Sequence, residues 1–370
     1  MLFPSLFRSR DRTKESLAMK RLALVLVIAV LAALYPSAAF ALPSGTRVQK
    51  YKGGLNFPVD MGWVPGSKRI FVTEKAGRIR IINKGRLRAR ACRRINVSSS
   101  GERGLLGIEL HPNFKRNRYL YAFYVNASPL ESRVTRYKVK KGRCRSARNV
   151  VKNIPVSSGY HIGGQIEFAG GKLFVSVGDG HSAANAQNKD NRLGKILRYN
   201  SDGSIPKGNP FSSRGDHSPV WSYGHRNGFG LTHKPGTGRL YETENGPQCD
   251  DELNRIRKGR NYGWGSSYAC GTAGVGPNPK RPLKRWSNVI AVTDPWFYKG
   301  RMGRLSGDIY AGGFSDGKLH RLVLNRKGTR VKNDRAILGG AGPIVDVSKG
   351  PKGWLYYMTP SGIFRIVQRR

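Results

Sequence analysis

Four stretches of the chain hold side chains that could do chemistry together. In "HIGGQIEFAGGKLFVSVGDG" (161–180), His161 is followed 18 residues later by Asp179. An imidazole titrates near working pH and can take a proton from a hydroxyl. A carboxylate beside it can orient the ring and stabilise its charge. One strand out and back would bring both to the same end of a sheet, although a histidine at a strand entry is equally an ordinary turn residue. In "WSYGHRNGFGL" (221–231), Arg226 offers a planar fork for a carboxylate, and Asn227 can both donate and accept. In "ETENGPQCDDELNRIRKGRNYGW" (242–264), the turn at Gly246-Pro247 could aim its carbonyls inward. Asp250, Asp251 and Glu252 follow, and oxygen-rich turns are what Ca²⁺ needs; the same acids could instead pair with Arg255, Arg257 and Lys258. In "SGERGLLGIELHPNF" (100–114), glycines surround Glu102 and let the backbone approach a ligand, but taken alone this reads as a glycine turn with a solvated acid. The turn-rich "LGKILRYNSDGSIPKGNPF" (193–211) reads as architecture.

The elements that must position these groups are strands. Helical periodicity is scarce, and short alternating runs recur with glycine-containing turns between them, as in "KRIFVTEKAGRIRIIN". Similar features return every 40 to 50 residues or so, the period of propeller blades. Six modules are predicted, at roughly 47–90, 100–145, 156–205, 217–265, 290–330 and 341–368. The expected fold is all-β: a six-bladed propeller of four-stranded antiparallel blades. "TRVQKY" near residue 46 would pair with the C-terminal "GIFRIV" and close the ring. A sandwich is the alternative, but six modules exceed its usual size. In a propeller the polar loops at one end of the channel are where function belongs.

The N-terminal segment reads as an address. Lys20-Arg21 precede "LALVLVIAVLAALYPSAAF", and Ala39-Phe40-Ala41 has the small-residue pattern of a cleavage site. Met19 is the expected start, residues 1–41 an extension plus signal peptide, and 42–370 the propeller domain. An uncleaved anchor is the competing reading, disfavoured by the short apolar run. Export would place Cys92, Cys144, Cys249 and Cys270 in an oxidising compartment. No Cys-x-x-Cys pair points to zinc. Disulfides Cys92–Cys144 and Cys249–Cys270 are expected, each joining neighbouring segments, among the three connectivities four cysteines allow. The chain has 66 Lys and Arg against 22 Asp and Glu, a net charge of +44. Residues 1–41 hold six basic and two acidic side chains, leaving +40 on the remainder. Such charge favours anionic polymers, with strong salt dependence, yet the basic residues are dispersed and no nucleic-acid motif accompanies them.

Taken in order, "GERGLLGIELHPNF", "HIGGQIEFAGGKLFVSVGD", "GKILRYNSDGSIPKGNPF", "YGHRNGFGL" and "ENGPQCDDELNRIRKGRNYGWG" resemble the glucose/sorbosone dehydrogenase family, soluble sugar dehydrogenases that use pyrroloquinoline quinone (PQQ) with Ca²⁺ on a six-bladed propeller. The likeness is densest over residues 100–265. It implies a secreted oxidoreductase that oxidises the anomeric carbon of an aldose to a lactone, with an external electron acceptor. His161 would be the general base and Asp179 its support. Glu102, Arg226 and Asn227 would border the cofactor, and the carbonyls of Gly246 and Pro247 would ligate Ca²⁺. Such a division leaves redox chemistry to the cofactor and asks the protein for a base, a metal seat and cationic anchors. The chain departs from the family pattern at four positions. Glu102 stands where the family has Gln. Ser315, Pro343 and Val345 stand where it has cations that hold the cofactor's carboxylates. Lys318, Arg301 and Arg304 are the nearby cations that could replace them. The alternatives are a non-enzymatic propeller binding anionic glycan or wall polymer, and an enzyme using the same site with another small cofactor or a metal alone.

Overall fold

The computed structural model describes residues 42–211 and 218–369. The expected start at Met19 and the cleavage site at Ala39–Ala41 lie outside the described residues.

Alternation of apolar and charged residues produces the strands. In "RIRIIN" the isoleucines are buried and the arginines reach outward. After β1 (Thr46–Lys52), blade I is formed by β2 (Pro58–Trp63), β3 (Arg69–Glu74), β4 (Arg78–Asn83) and the short β5 (Arg86–Leu87) and β6 (Arg93–Arg94), both paired with β4. Blade II holds β7 (Leu105–Leu110), β8 (Tyr119–Asn126), β9 (Glu131–Lys140) and β10 (Arg143–Pro155). Blade III holds β11 (Gly163–Ala169), β12 (Lys172–Val177), β13 (Lys195–Tyr199) and β14 (Val220–Tyr223). Blade IV holds β15 (Gly228–Lys234), β16 (Arg239–Glu244), β17 (Asp251–Ile256) and β18 (Lys284–Trp286). Blade V holds β19 (Val292–Tyr298), β20 (Asp308–Gly313), β21 (Leu319–Leu324) and β22 (Val331–Leu338). Blade VI is β23 (Asp346–Lys349), β24 (Leu355–Thr359) and β25 (Gly362–Gln368), completed by β1.

The expected six-bladed, all-β propeller is therefore the fold, and its ring closes as expected: β1 pairs antiparallel with β25, Val48 opposite Ile366. The predicted boundaries missed outer strands: β6 and β22 lie past the ends of the first and fifth modules, and β10 runs on to Pro155, beyond the second. β14 belongs to blade III although it falls inside the predicted fourth module, and β18 lies beyond that module's end. Long polar stretches of sequence (200–219 and 257–283) precede β14 and β18, so local periodicity could not attach these strands to their sheets.

The innermost strands β2, β7, β11, β15, β19 and β23 touch in sequence around the ring, β23 returning to β2. Small hydroxyls tie blade to blade. Thr73 Oγ1 donates to the Leu106 carbonyl at 3.1 Å, Thr243 Oγ1 to Thr293 at 2.9 Å, and Thr293 Oγ1 to Ile344 at 2.8 Å. Between the blades lie the apolar clusters, among them one of Tyr121, Phe123, Phe168 and Leu197 shared by blades II and III. Five inner strands also carry an acid (Asp60, Glu109, Glu167, Asp294 and Asp346), and these acids act on one another electrostatically. Burial, with like-charged neighbours adding to it, pushes the Asp60 carboxyl up to about 7 and raises those of Glu109, Asp294 and Asp346 well above the usual range.

Both expected disulfides are present, Cys92–Cys144 and Cys249–Cys270. The first staples the outer margin of blade I to that of blade II across 52 residues of chain. Replacing both Cys92 and Cys144 by Ser should lower the unfolding free energy by about 3–4 kcal/mol, read from denaturant titration. An unchanged midpoint would mean that β-ladder and core contacts alone fix this blade pair.

Candidate active site

The site end of the ring is where chains enter the innermost strands and leave the second ones. His161 lies two residues before β11, and Asp179 two residues after β12, so the 18-residue spacing is one hairpin out and back. His161 Nδ1 lies 2.6 Å from Asp179 Oδ1, and both residues are buried. Asp179 also accepts from the Trp264 indole at 2.7 Å and from the His181 backbone N–H at 2.8 Å. Its carboxylate thus faces three donors, which fixes Nδ1 of His161 as the protonated nitrogen and leaves Nε2 with a lone pair.

His161 has φ 53°, a left-handed conformation costly for a non-glycine residue. It is held there because Glu102 Oε2 accepts the His161 backbone N–H at 2.7 Å. Gly163 follows at φ 67°, where a Cβ would come within 2.8 Å of the Gly178 nitrogen. The "HIGG" glycines are what let the His161 loop press against the end of its partner strand.

Glu102 spends its carboxylate on this scaffold. Besides His161, it accepts from Asn227 Nδ2 at 3.1 Å, while Asn227 Oδ1 accepts the Gly163 N–H at 3.2 Å. Arg226 is half-buried, its guanidinium 5.2 Å over the Trp264 ring and Nη1 donating to the Asn245 carbonyl at 3.0 Å. Its Nε is buried with no hydrogen-bond partner. Gly246 and Pro247 line the same pocket as Arg226 and Trp264. The Asp179 backbone N–H reaches the Arg226 carbonyl at 2.8 Å, which joins the His161–Asp179 pair to this pocket. The structure therefore brings His161, Asp179, Glu102, Arg226, Asn227, Gly246 and Pro247 to one end of the ring.

The acidic run has a different part from the one its composition suggested. Asp251 Oδ1 accepts the Gly246 N–H at 2.9 Å, and Oδ2 accepts Ile290 and Val292 N–H groups at 2.9 and 3.1 Å. It shapes the Gly246-Pro247 turn. Asp250 binds the Tyr268 hydroxyl at 2.8 Å, and the cation beside Asp250 and Glu252 is Arg285, at 3.6 and 3.5 Å, rather than Arg255, Arg257 or Lys258.

Sequence reasoning missed three supports. Trp264 links Asp179 to Arg226. Fully buried Lys195 donates Nζ to the carbonyls of Asn185 and Ala186 at 2.8 and 3.2 Å, fixing the segment after Asp179, and burial pushes its amine down to about 7. His225 lies within 2.8 Å of Glu242 and 3.0 Å of Glu244, and Glu244 also receives the Arg226 backbone N–H. The "YGHRN" run carried a signal for His225, a histidine next to the cation, but its acids lie 17 and 19 residues on, across a hairpin. Burial opposes protonation of His225, yet the two glutamates prevail and raise it to about 9. A raised histidine stabilises the fold fully below its unfolded value near 6.5, and that contribution is lost as pH rises through about 9. The stability gap between the wild type and His225→Gln should therefore be widest below pH 6.5 and shrink up to pH 9, in denaturant midpoints across that range. A gap independent of pH would mean that folding leaves the proton affinity of His225 unchanged.

Ser315 and Pro343 are exposed on loops at the site end, and Val345 packs into the apolar cluster around Met61, Tyr356 and Met358. Lys318 sits at the same end beside Asp316, at 3.6 Å. Arg301 follows β19, at the opposite end of the blade, and cannot replace a cation here; Arg304, whose side chain lies outside the described set, is on that same connection. The four large apolar residues that remain exposed among the described residues (Phe57, Leu130, Tyr160 and Phe314) all lie on loops at the site end.

Known proteins resemble the chain over most of its length. The family model described as Glucose / Sorbosone dehydrogenase matches residues 55–367. The chain is 32% identical over 340 residues to the Synechocystis protein slr1608, covering 83% of this chain and 82% of that one. It is 29% identical over 344 residues to the aldose sugar dehydrogenase YliI of Escherichia coli, covering 87% and 92%. The PQQ-bound form of the aldose sugar dehydrogenase of Streptomyces coelicolor superposes with a TM-score of 0.75 at 28% identity, over 88% of this chain and all of that one.

Proposed function

Because the chain belongs to the glucose/sorbosone dehydrogenase family, we propose that it is an exported, PQQ- and Ca²⁺-dependent aldose dehydrogenase, oxidising the anomeric carbon of a sugar to the lactone and passing electrons to an external acceptor. The observation that carries this reading is the buried His161–Asp179 pair set beside a cation whose Nε has no partner. An orphaned buried donor is expensive, and a carboxylate of PQQ would satisfy it. The residues thus fit the cofactor, with fewer cationic anchors than the family pattern, since Ser315, Pro343 and Val345 supply none.

In this reading PQQ, when bound, supplies the two-electron acceptor for the hydride leaving the anomeric carbon. Arg226 would hold a cofactor carboxylate, and Asn227 and Glu102 would border it. The carbonyls of Gly246 and Pro247 would seat Ca²⁺, in a turn shaped by Asp251. His161 Nε2 would take the anomeric hydroxyl proton, and Asp179 would stabilise the resulting imidazolium. The exposed aromatic rim would meet the sugar or the electron acceptor. The two disulfides support an extracytoplasmic location.

The test is titration of the purified protein with PQQ and Ca²⁺, followed by dye reduction with glucose and other aldoses. Saturable micromolar binding and sugar-dependent turnover support the proposal; no saturable binding overturns it.

A second reading, a propeller that binds anionic wall polymer, is favoured by one surface. From Lys75 to Gly101 and from Ser132 to Gln165 the chain has nine basic residues each and no acid. These segments form much of the outer parts of blades I and II. Retention on an anionic polysaccharide at physiological salt, beyond that of an unrelated protein of equal charge, would support it.

A further inference from the structure

Acids are scarce in this chain, one for every three basic residues, yet they recur on the inner ring. Asp60, Asp294 and Asp346 come from β2, β19 and β23, strands of blades I, V and VI. Each offers a carboxylate oxygen within 4.8 Å of those of the other two, and the three residues are 5, 7 and 1% exposed. Two of them spend one oxygen on a neighbouring blade. Asp60 Oδ2 accepts the Ile108 N–H at 2.7 Å, and Asp294 Oδ1 accepts the Leu231 N–H at 3.1 Å. Asp346 Oδ2 is buried and has no hydrogen-bond partner. Among the described residues, no Lys or Arg is ion-paired with any of the three. The histidine of the inner ring, His233, is committed to Glu167 at 2.9 Å.

Three buried carboxylates this close need compensating positive charge, because desolvation and mutual repulsion both oppose their ionisation. Two kinds of occupant can supply it: protons shared among the acids, or a cation. Oxygen-only donors from three separate strands, one oxygen of which lacks any donor, suit a hard divalent ion better than a soft one. We propose that Asp60, Asp294 and Asp346 form a divalent-cation site of the Ca²⁺ class within the inner ring, sharing no residue with the Gly246–Pro247 turn. It spans the seam where blade VI meets blade I, so its occupancy fastens the closed ring.

The test uses full-length protein stripped with a chelator and kept free of PQQ, so that its result does not depend on the dehydrogenase reading. Equilibrium dialysis against Ca²⁺ should show one equivalent fewer bound to Asp346→Asn and to Asp294→Asn than to the wild type. Ca²⁺ should raise the melting temperature of the wild type more than that of either variant. Equal stoichiometry in all three proteins, with variants at least as stable as the metal-free wild type, overturns the proposal and leaves shared protons as the occupant. Wild-type crystals soaked in Mn²⁺ provide a measurement that needs no variant. An anomalous peak within bonding distance of all three carboxylates supports the site, and its absence overturns it.

Discussion

The His161→Ala protein is expected to lose sugar turnover by about 10²–10⁴-fold while keeping its affinity for PQQ. The direction follows from the way the ring is held. Asp179 faces Nδ1 at 2.6 Å, so Nε2 is the nitrogen able to accept a proton. Removing the imidazole removes that acceptor and leaves the Arg226 pocket intact. Asp179→Asn should also lose turnover: the amide can still accept from Trp264 or His181, but it no longer stabilises the imidazolium. Stopped-flow mixing of sugar with the reconstituted protein separates the steps, since reduction of bound PQQ should slow while equilibrium PQQ titration stays unchanged. A His161→Ala rate within threefold of the wild type would remove His161 as base.

Arg226→Ala should weaken PQQ binding by about 30-fold or more, in keeping with about 2–5 kcal/mol for truncating one partner of a buried, hydrogen-bonded charge pair. In the free protein Arg226 makes one side-chain hydrogen bond, to the Asn245 carbonyl, and leaves Nε without a partner. Its loss should therefore cost the cofactor-free protein little stability while nearly abolishing the rise in melting temperature that PQQ produces. Arg226→Lys should rescue little, because a single ammonium cannot reproduce a planar fork stacked on Trp264. Since Ser315, Pro343 and Val345 provide no cation, Arg226 would, in the proposed site, bear a larger share of anion recognition than the family pattern would give it. A PQQ affinity unchanged in Arg226→Ala would sink this assignment.

The fold was legible because a propeller repeats a local rule. Alternation within each hairpin and the return of glycine turns were enough to count six blades and to pair residue 46 with the C-terminal strand. What local rules could not reach was the extent of the outer strands: β22 and most of β10 lie past their predicted modules, and β14 and β18 follow long polar stretches of sequence. The site was legible where it coincides with loop motifs, as at His161, Arg226 and Gly246. Its supports were not, because Trp264 to Asp179, Lys195 to Asn185 and His225 to Glu244 are relations across turns and hairpins, whose partners only tertiary structure selects. The inner-ring acids were hidden for a related reason. "PVDM", "GIEL", "QIEF", "VTDP" and "IVDV" share an acid beside apolar residues, but nothing in the sequence says that they face one another.

The pairing of β1 with β25 places residues 322 positions apart side by side, Thr46 opposite Gln368. Bringing such distant segments together costs loop-closure entropy that nearer contacts need not repay, so this ladder belongs among the last to form. Blade VI has three of its strands at one extremity of the chain and its fourth at the other. A nascent chain halted before residue 362 can hold five blades but leaves β1 without its partner. The seam is also dispensable in principle: joining the two paired ends by a short linker and reopening the chain in the 339–345 loop would make every blade continuous in sequence, leaving blade-to-blade packing alone to close the ring and every residue of the His161 site where it stands.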